Sequence, residues 1–322
     1  MPRLTAPLPD RPYALIEATE ETRFDDIDTN AALDLFKAHG ALLFRGFGAD
    51  LDGFRRFAAS FCTGSVFNES PDRQLLDPAH NVQSVNGGAE AFPLHPELSR
   101  EPWKPDVCFF HCLVPPAGGG GETTICDGIA LADHLPEDVR ACFARHRLVY
   151  LQAAPPWQLQ FWFGTETPSD TQLASPPPAC PYSFARFDGH LARIFTRPAL
   201  HQPMFAQGPA FGNFLLFARY FNGRTDFPLL DDGRDVPAAW VAAAKAAGDA
   251  LSVPIAWETG DLLMLDNSRF LHGRNAITDP DHRLIASYFG YLKDAPRNPE
   301  EPEDPIWRRG DFRPPMPPAP QL

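Results

Sequence analysis

One triplet, His95-Pro96-Glu97, sets an imidazole and a carboxylate two residues apart, and no other of the ten histidines starts an HxD or HxE pattern. On an extended strand, residues i and i+2 point to the same face. Both side chains can therefore reach one ion. A second histidine would complete a two-His-one-carboxylate set, which holds Fe(II) and leaves positions open for oxygen and a co-substrate. Taken alone, the triplet also fits a half-buried strand-end histidine beside a solvated carboxylate. The candidate for the third ligand is His272, in GDLLMLDNSRFLHGR (260–274), just after an apolar run. Arg283 follows eleven residues later, at the entry to LIASYFGYL (284–292). If these two strands are neighbours, Arg283 points into the same cavity as His272. A guanidinium offers two parallel donors to a carboxylate. 2-Oxoglutarate suits such a pair, because its 2-oxo acid end can chelate iron and its distal carboxylate needs a partner.

These residues need rigid elements to hold them. Residues 30–39 (NAALDLFKAH) read as a short amphipathic helix closed by Gly40, and 41–47 (ALLFRGF) as a buried strand. Residues 50–62 read as a second helix with Asp50 as its cap. Strand-like runs follow at 107–114, 147–152, 190–195, 254–257, 261–266 and 284–292, with helical patterns at 136–146 and 237–251. Short strands, turn signals and a few helices fit a mainly β fold, a β-sandwich or jelly roll with flanking helices. The segment 153–188 holds seven prolines together with Trp157, Phe161, Trp162 and Phe163. It is expected to be irregular but packed, a lid over the site. The tail 295–322 is Pro-rich and polar and is expected to be extended and partly disordered. The whole of 1–322 reads as a single domain with these two additions.

With 322 residues and 44% apolar content, the chain can bury a sizeable core. Its formal net charge of −13 argues against nucleic acid or an anionic membrane as partner. There is no signal-like N-terminus and no run near the roughly 18 apolar residues of a membrane span. The six cysteines form no CxxC pair and read as free thiols of a reducing, cytoplasmic protein.

HPE at 95–97, GGGGETTICDG at 118–128 and WETGDLLMLDNSRFLHGR at 257–274, followed by Arg283, together resemble the taurine dioxygenase-like (TauD/TfdA) family of Fe(II)/2-oxoglutarate oxygenases. The resemblance runs from about residue 30 to 292. It implies a distorted double-stranded β-helix, or jelly roll, with His95, Glu97 and His272 on the iron. It implies that Arg283 and Thr123, or Thr124 by a shift of register, bind the far carboxylate of 2-oxoglutarate. Glu in place of Asp resembles the branch with clavaminate synthase and amino-acid hydroxylases. Ser287, four residues past Arg283, stands where the taurine enzyme has a sulfonate-binding arginine, so taurine is not the expected substrate. The implied reaction uses Fe(II), 2-oxoglutarate and O2, releases succinate and CO2, and hydroxylates an unactivated C–H bond. Its substrate would be a small molecule such as an amino acid, free or tethered to a carrier protein. Desaturation or cyclisation are alternatives, as is a non-catalytic jelly-roll protein that keeps a ligand pocket. Oligomeric state is left open.

Other residues are weighed on their chemistry. Arg274 would face 2-oxoglutarate or pair with an acid. Asn86, Phe92 and Leu94 could line a substrate pocket, and Arg193 and Arg197 could bind an anion or lie on the surface. Asn267 reads as a turn residue and His111 as a core histidine.

Overall fold

The computed structural model describes residues 2–20, 23–117, 119–279 and 282–316. Strands in chain order are β1 (Arg3–Thr5), β2 (Ala14–Glu17), β3 (Ala41–Arg45), β4 (Cys62–Ser65), β5 (Leu75–Asp77), β6 (Val82–Ser84), β7 (Phe92–His95), β8 (Val107–Val114) and β9 (Thr123–Asp127). They continue as β10 (Arg147–Ala153), β11 (Ser183–Phe187), β12 (His190–Pro198), β13 (Leu200–His201), β14 (Ala210–Phe211), β15 (Leu229–Leu230), β16 (Val253–Pro254), β17 (Leu262–Asp266), β18 (Phe270–Arg274) and β19 (Leu284–Leu292). The helices are α1 (Thr29–His39), α2 (Leu51–Phe61), α3 (Gly128–His134), α4 (Glu137–Arg145), α5 (Pro156–Phe163), α6 (Asp170–Ala174), α7 (Leu215–Tyr220) and α8 (Ala238–Leu251).

The fold is the jelly roll expected from the sequence. A large sheet runs β1-β2-β3-β17-β8-β19-β6-β5, with β4 also on β19, and a smaller one runs β16-β9-β18-β7. The apolar runs at 41–45, 107–114, 262–266 and 284–292 are continuous because both faces of the large sheet are covered. One face (Phe44, Phe109, Met264, Tyr288) packs on Phe36 of α1 and on Phe54, Phe57 and Phe61 of α2. The other (Leu43, Phe110, Leu263, Ile285, Phe289) packs against Ile125 and Phe270 of the smaller sheet. Alternate residues of one strand thus serve opposite layers. Each fully buried side chain of this size is worth about 1.5–3 kcal/mol.

Local signals set the element ends. The Asp28 carboxylate accepts from the Asn30 and Ala31 amides and Asp50 from that of Gly53, as N-caps do. Gly40 closes α1 at φ 74°. Two expectations need correction. The run 254–257 is strand only at Val253–Pro254, since Pro254 has no amide to carry the ladder further. The segment 153–188 is not irregular: it contains α5, α6 and β11, and β11 joins a sheet ordered β11-β12-β10-β15. Pro156 sits in the first turn of α5 and Ser169 with Gln172 forms a capping box for α6, so the prolines start helices rather than exclude them.

Of the tail, residues 317–322 lie outside the described residues, as do Gly118 of the glycine-rich turn and Asp281 before Arg283. The part of the tail that is described is anchored. Trp307 is buried and Arg308 pairs with Asp106 at 2.8 Å and with Glu301. All six cysteines are free. Among the described residues no helix is long and apolar enough to cross a membrane.

Candidate active site

The smaller sheet brings the sequence-distant residues together. β18 pairs with β7 so that His272 stands opposite His95, and with β9 so that Arg274 stands opposite Thr123. Between them, Gly273 has to be glycine: a Cβ there would lie 2.6 Å from the Phe92 carbonyl oxygen. The His95 and His272 rings are 4.6 Å apart between centroids. Glu97 follows β7, and its Oε2 is 3.8 Å from His272 Nε2. Immediately beyond it, Leu98 takes a left-handed φ of 49°, a conformation that costs a non-glycine residue about 1–2 kcal/mol. That turn swings the chain away after Glu97.

Each candidate ligand is oriented by a neighbour. His95 Nδ1–H donates to the Pro93 carbonyl at 2.9 Å, which leaves the Nε2 lone pair free for a metal. The His95 ring is packed against Phe217 and that of His272 against Phe110. Burial lowers the pKa of both imidazoles, and of His272 furthest, since His95 and Arg73 add repulsion. Neutral imidazole is the form that ligates a metal. Asn68 Nδ2 donates to Glu97 Oε1 at 2.7 Å and Arg73 Nη2 to Oε2 at 3.0 Å. Asn267, expected as a turn residue, instead clamps the Glu97 backbone. Its Oδ1 accepts from the Glu97 amide at 2.8 Å and its Nδ2 donates to the Glu97 carbonyl at 3.1 Å.

The donor set fits Fe(II) in chemistry: two neutral nitrogens and a carboxylate oxygen directed to one place. Donors at right angles on an ion with bonds of about 2.1 Å stand roughly 3 Å apart. The 3.8 Å between His272 and Glu97 is therefore slightly splayed. Among the described residues no three such donors are already contracted around a common ion. Glu97 is held instead by Asn68 and Arg73.

The three residues open on a cavity of 450 Å3, within the usual size of a small-molecule site. Its wall includes Thr123, Arg274 and Arg283. Thr123 is buried and its Oγ1 accepts from Trp257 Nε1 at 3.1 Å, whereas Thr124 does not reach the cavity. Arg283 Nε donates to the Gly121 carbonyl at 2.7 Å; Glu122 acts on its guanidinium electrostatically, without a salt bridge to it among the described residues. Burial, with repulsion from Arg274, lowers its pKa to about 10. Arg274, expected to face 2-oxoglutarate or to pair with an acid, lines the cavity. It lies over Phe92 at 4.2 Å and donates to the carbonyls of Asn86, Gly88 and Glu90, holding that loop beside the cavity.

Asn86 and Phe92 line the cavity as expected, but Leu94 points into the core with Cys126 and Leu271. Arg193 is buried in a cluster with Glu101 and Tyr182, and Arg197 donates to the Glu101 carbonyl. Neither is a free surface arginine. Of the segment 153–188, Trp157 alone among the described residues reaches the cavity. His111 is a core histidine, stacked on Phe54. Arg73 and Asn68 escaped the sequence reading altogether.

The match to the family model described as "Taurine catabolism dioxygenase TauD, TfdA family" spans residues 6–288. The chain belongs to this family. As a TauD/TfdA member it is an Fe(II)- and 2-oxoglutarate-dependent oxygenase. Pentalenolactone F synthase of Streptomyces avermitilis is 25% identical over 296 residues, covering 87% of this chain and 90% of that protein. A clavaminate synthase-like protein of Arabidopsis thaliana is 23% identical over 310 residues, covering 89% and 91%. Among solved structures, PvcB of Pseudomonas aeruginosa superposes with a TM-score of 0.60 at 18% identity, over 92% of this chain and 94% of its own. PvcB is described as an Fe, α-ketoglutarate-dependent oxygenase from an isonitrile synthetic pathway.

Proposed function

We propose that His95, Glu97 and His272 hold the iron, that Arg283 and Thr123 hold the distal carboxylate of 2-oxoglutarate, and that the enzyme hydroxylates an unactivated C–H bond of a small molecule. The observation that carries this reading is the meeting of the three residues at one cavity whose wall presents an arginine that forms no salt bridge with a carboxylate among the described residues. Iron with 2-oxoglutarate and O2, when bound, supplies the oxidant for that bond and releases succinate and CO2.

The protein's own part is positioning. His95 and His272 present nitrogens that burial keeps unprotonated. Asn267 and Asn68 fix the Glu97 backbone and one of its oxygens. Arg283, anchored through Nε on Gly121, turns its remaining donors to the cavity, where a carboxylate relieves an otherwise unpaired charge. Arg274 adds a second cation beside it and keeps the 86–90 loop in place. Phe92, Phe214, Phe217, Phe221 and Trp157 also line the cavity and offer an apolar bed for the substrate. We take the substrate to be an amino acid or a similar compact metabolite, and the free thiols to favour a cytoplasmic setting.

The test is succinate release from 2-oxoglutarate with added Fe(II) and ascorbate, scored across a metabolite panel. Release that depends on iron and rises with one panel compound supports the proposal. No iron-dependent release under any condition refutes it.

A further inference from the structure

One cation in the cavity wall is assigned neither as a ligand of iron nor as a partner of 2-oxoglutarate. Arg73 lies just before β5, and its side chain is only 6% exposed. Nε donates to Asn86 Oδ1 at 2.8 Å and Nη1 to Ser287 Oγ at 3.2 Å. The guanidinium lies over the Phe289 ring, 5.1 Å from its centroid. Both side-chain acceptors are neutral. The one carboxylate it pairs with among the described residues is Glu97, through Oε2.

That carboxylate is the one assigned to iron. Asn68 already holds Oε1, while Oε2 is the oxygen facing His272. An ion held by Glu97 would share the carboxylate charge that balances Arg73. A guanidinium cannot shed its proton, and a buried cation without a counter-charge is strongly disfavoured. Asn86, Ser287 and Phe289 still fix the guanidinium plane, so its free edge is left facing the cavity. An anion brought in by the substrate restores the balance. The phenylalanines that line the same cavity then take the rest of that molecule.

We propose that Arg73 is the specificity-determining residue for the prime substrate, which carries a carboxylate on a largely apolar body. The carboxylate pairs with the Arg73 edge that Glu97 releases to the metal. This rests on the reading of Glu97 as an iron ligand.

The test uses the full-length protein loaded with Mn(II) and N-oxalylglycine, an unreactive mimic of 2-oxoglutarate. It is titrated by calorimetry with phenylalanine, leucine, 3-phenylpropionate and decanoate, each beside its primary amide. At least one acid should bind about thirtyfold or more tightly than its amide, the lower end for a buried charge pair. Arg73→Gln should bring that ratio near one, and Arg73→Lys should restore part of it, since an ammonium supplies charge without the planar fork. A second readout separates recognition from mere support of Glu97. Arg73→Gln should bind Mn(II) more tightly than wild type, because a cation competing for Glu97 is gone. A purely structural clamp predicts weaker Mn(II) binding. The proposal is overturned if no acid is preferred to its amide, if Arg73→Gln keeps the preference, or if its Mn(II) affinity falls. Wild type that binds neither Mn(II) nor N-oxalylglycine overturns the iron reading as well. Wild type that binds both without acid preference overturns the role of Arg73 alone.

Discussion

Arg283→Ala should cripple binding of 2-oxoglutarate and leave the chemical step largely intact. The Arg283 side chain is half-buried and tied through Nε to Gly121; Glu122 acts on it electrostatically, but no carboxylate among the described residues forms a salt bridge with it. Burial lowers its pKa to about 10, a sign that the charged form is under-solvated and would gain from an anion. Losing one partner of a buried charged pair costs about 2–5 kcal/mol. That is roughly 30- to 4,000-fold in binding at 1.4 kcal/mol per decade. The contact is alike in ground and transition states, because the distal carboxylate takes no part in bond breaking. The loss should therefore appear in the KM for 2-oxoglutarate, with kcat at saturation changed far less. Arg283→Lys should recover only part of it. Steady-state succinate formation with 2-oxoglutarate varied at fixed substrate is the assay. A KM for Arg283→Ala within about twofold of wild type, under half a kcal/mol, would refute the assignment.

Three further outcomes are expected. Asn267→Ala leaves the Glu97 amide and carbonyl without their side-chain partner in a buried place; it should cost about 1–3 kcal/mol of stability in chemical denaturation and weaken iron binding. Gly273→Ala should separate β18 from β7 and abolish turnover, because the new methyl meets the Phe92 carbonyl; an active, normally stable variant would show that the two histidines do not depend on this close approach. Glu69 has its pKa raised to about 7, by burial first and then by Glu101, against attraction from Arg100 and Arg193. Its folded form holds the proton more tightly than the unfolded chain, so stability should fall as pH rises from about 4.5 to 7, by up to about 3 kcal/mol. Glu69→Gln should flatten that slope in melts across this range, and an unchanged slope would count against the shifted carboxyl.

The parts of the site written in local patterns were legible in the sequence. HPE puts an imidazole and a carboxylate two residues apart whatever surrounds it, although Glu97 lies in the turn just past β7 and not on the strand, and the apolar runs at 107–114, 262–266 and 284–292 mark buried strands by themselves. What the sequence hid is long-range pairing. Arg73 belongs to no motif, and its partners Glu97 and Ser287 lie 24 and 214 residues away. Ser287 argued only against taurine, and nothing near it in the sequence pointed to Arg73, which donates to its hydroxyl from another element. Asn267 looks like any turn asparagine until β17 and β18 carry it to Glu97, 170 residues distant. The segment 153–188 misled through its prolines, although the Ser169–Gln172 capping box was a readable helix start.

The central claim is that one ion is shared by His95, Glu97 and His272. Anaerobic Fe(II) titration of the apo-protein, beside His95→Ala, Glu97→Ala and His272→Ala, tests it directly, with circular dichroism melts to confirm that each variant is folded. The account predicts one tight Fe(II) site in the wild type and its loss in each folded variant. Wild-type affinity retained in any of the three would contradict it.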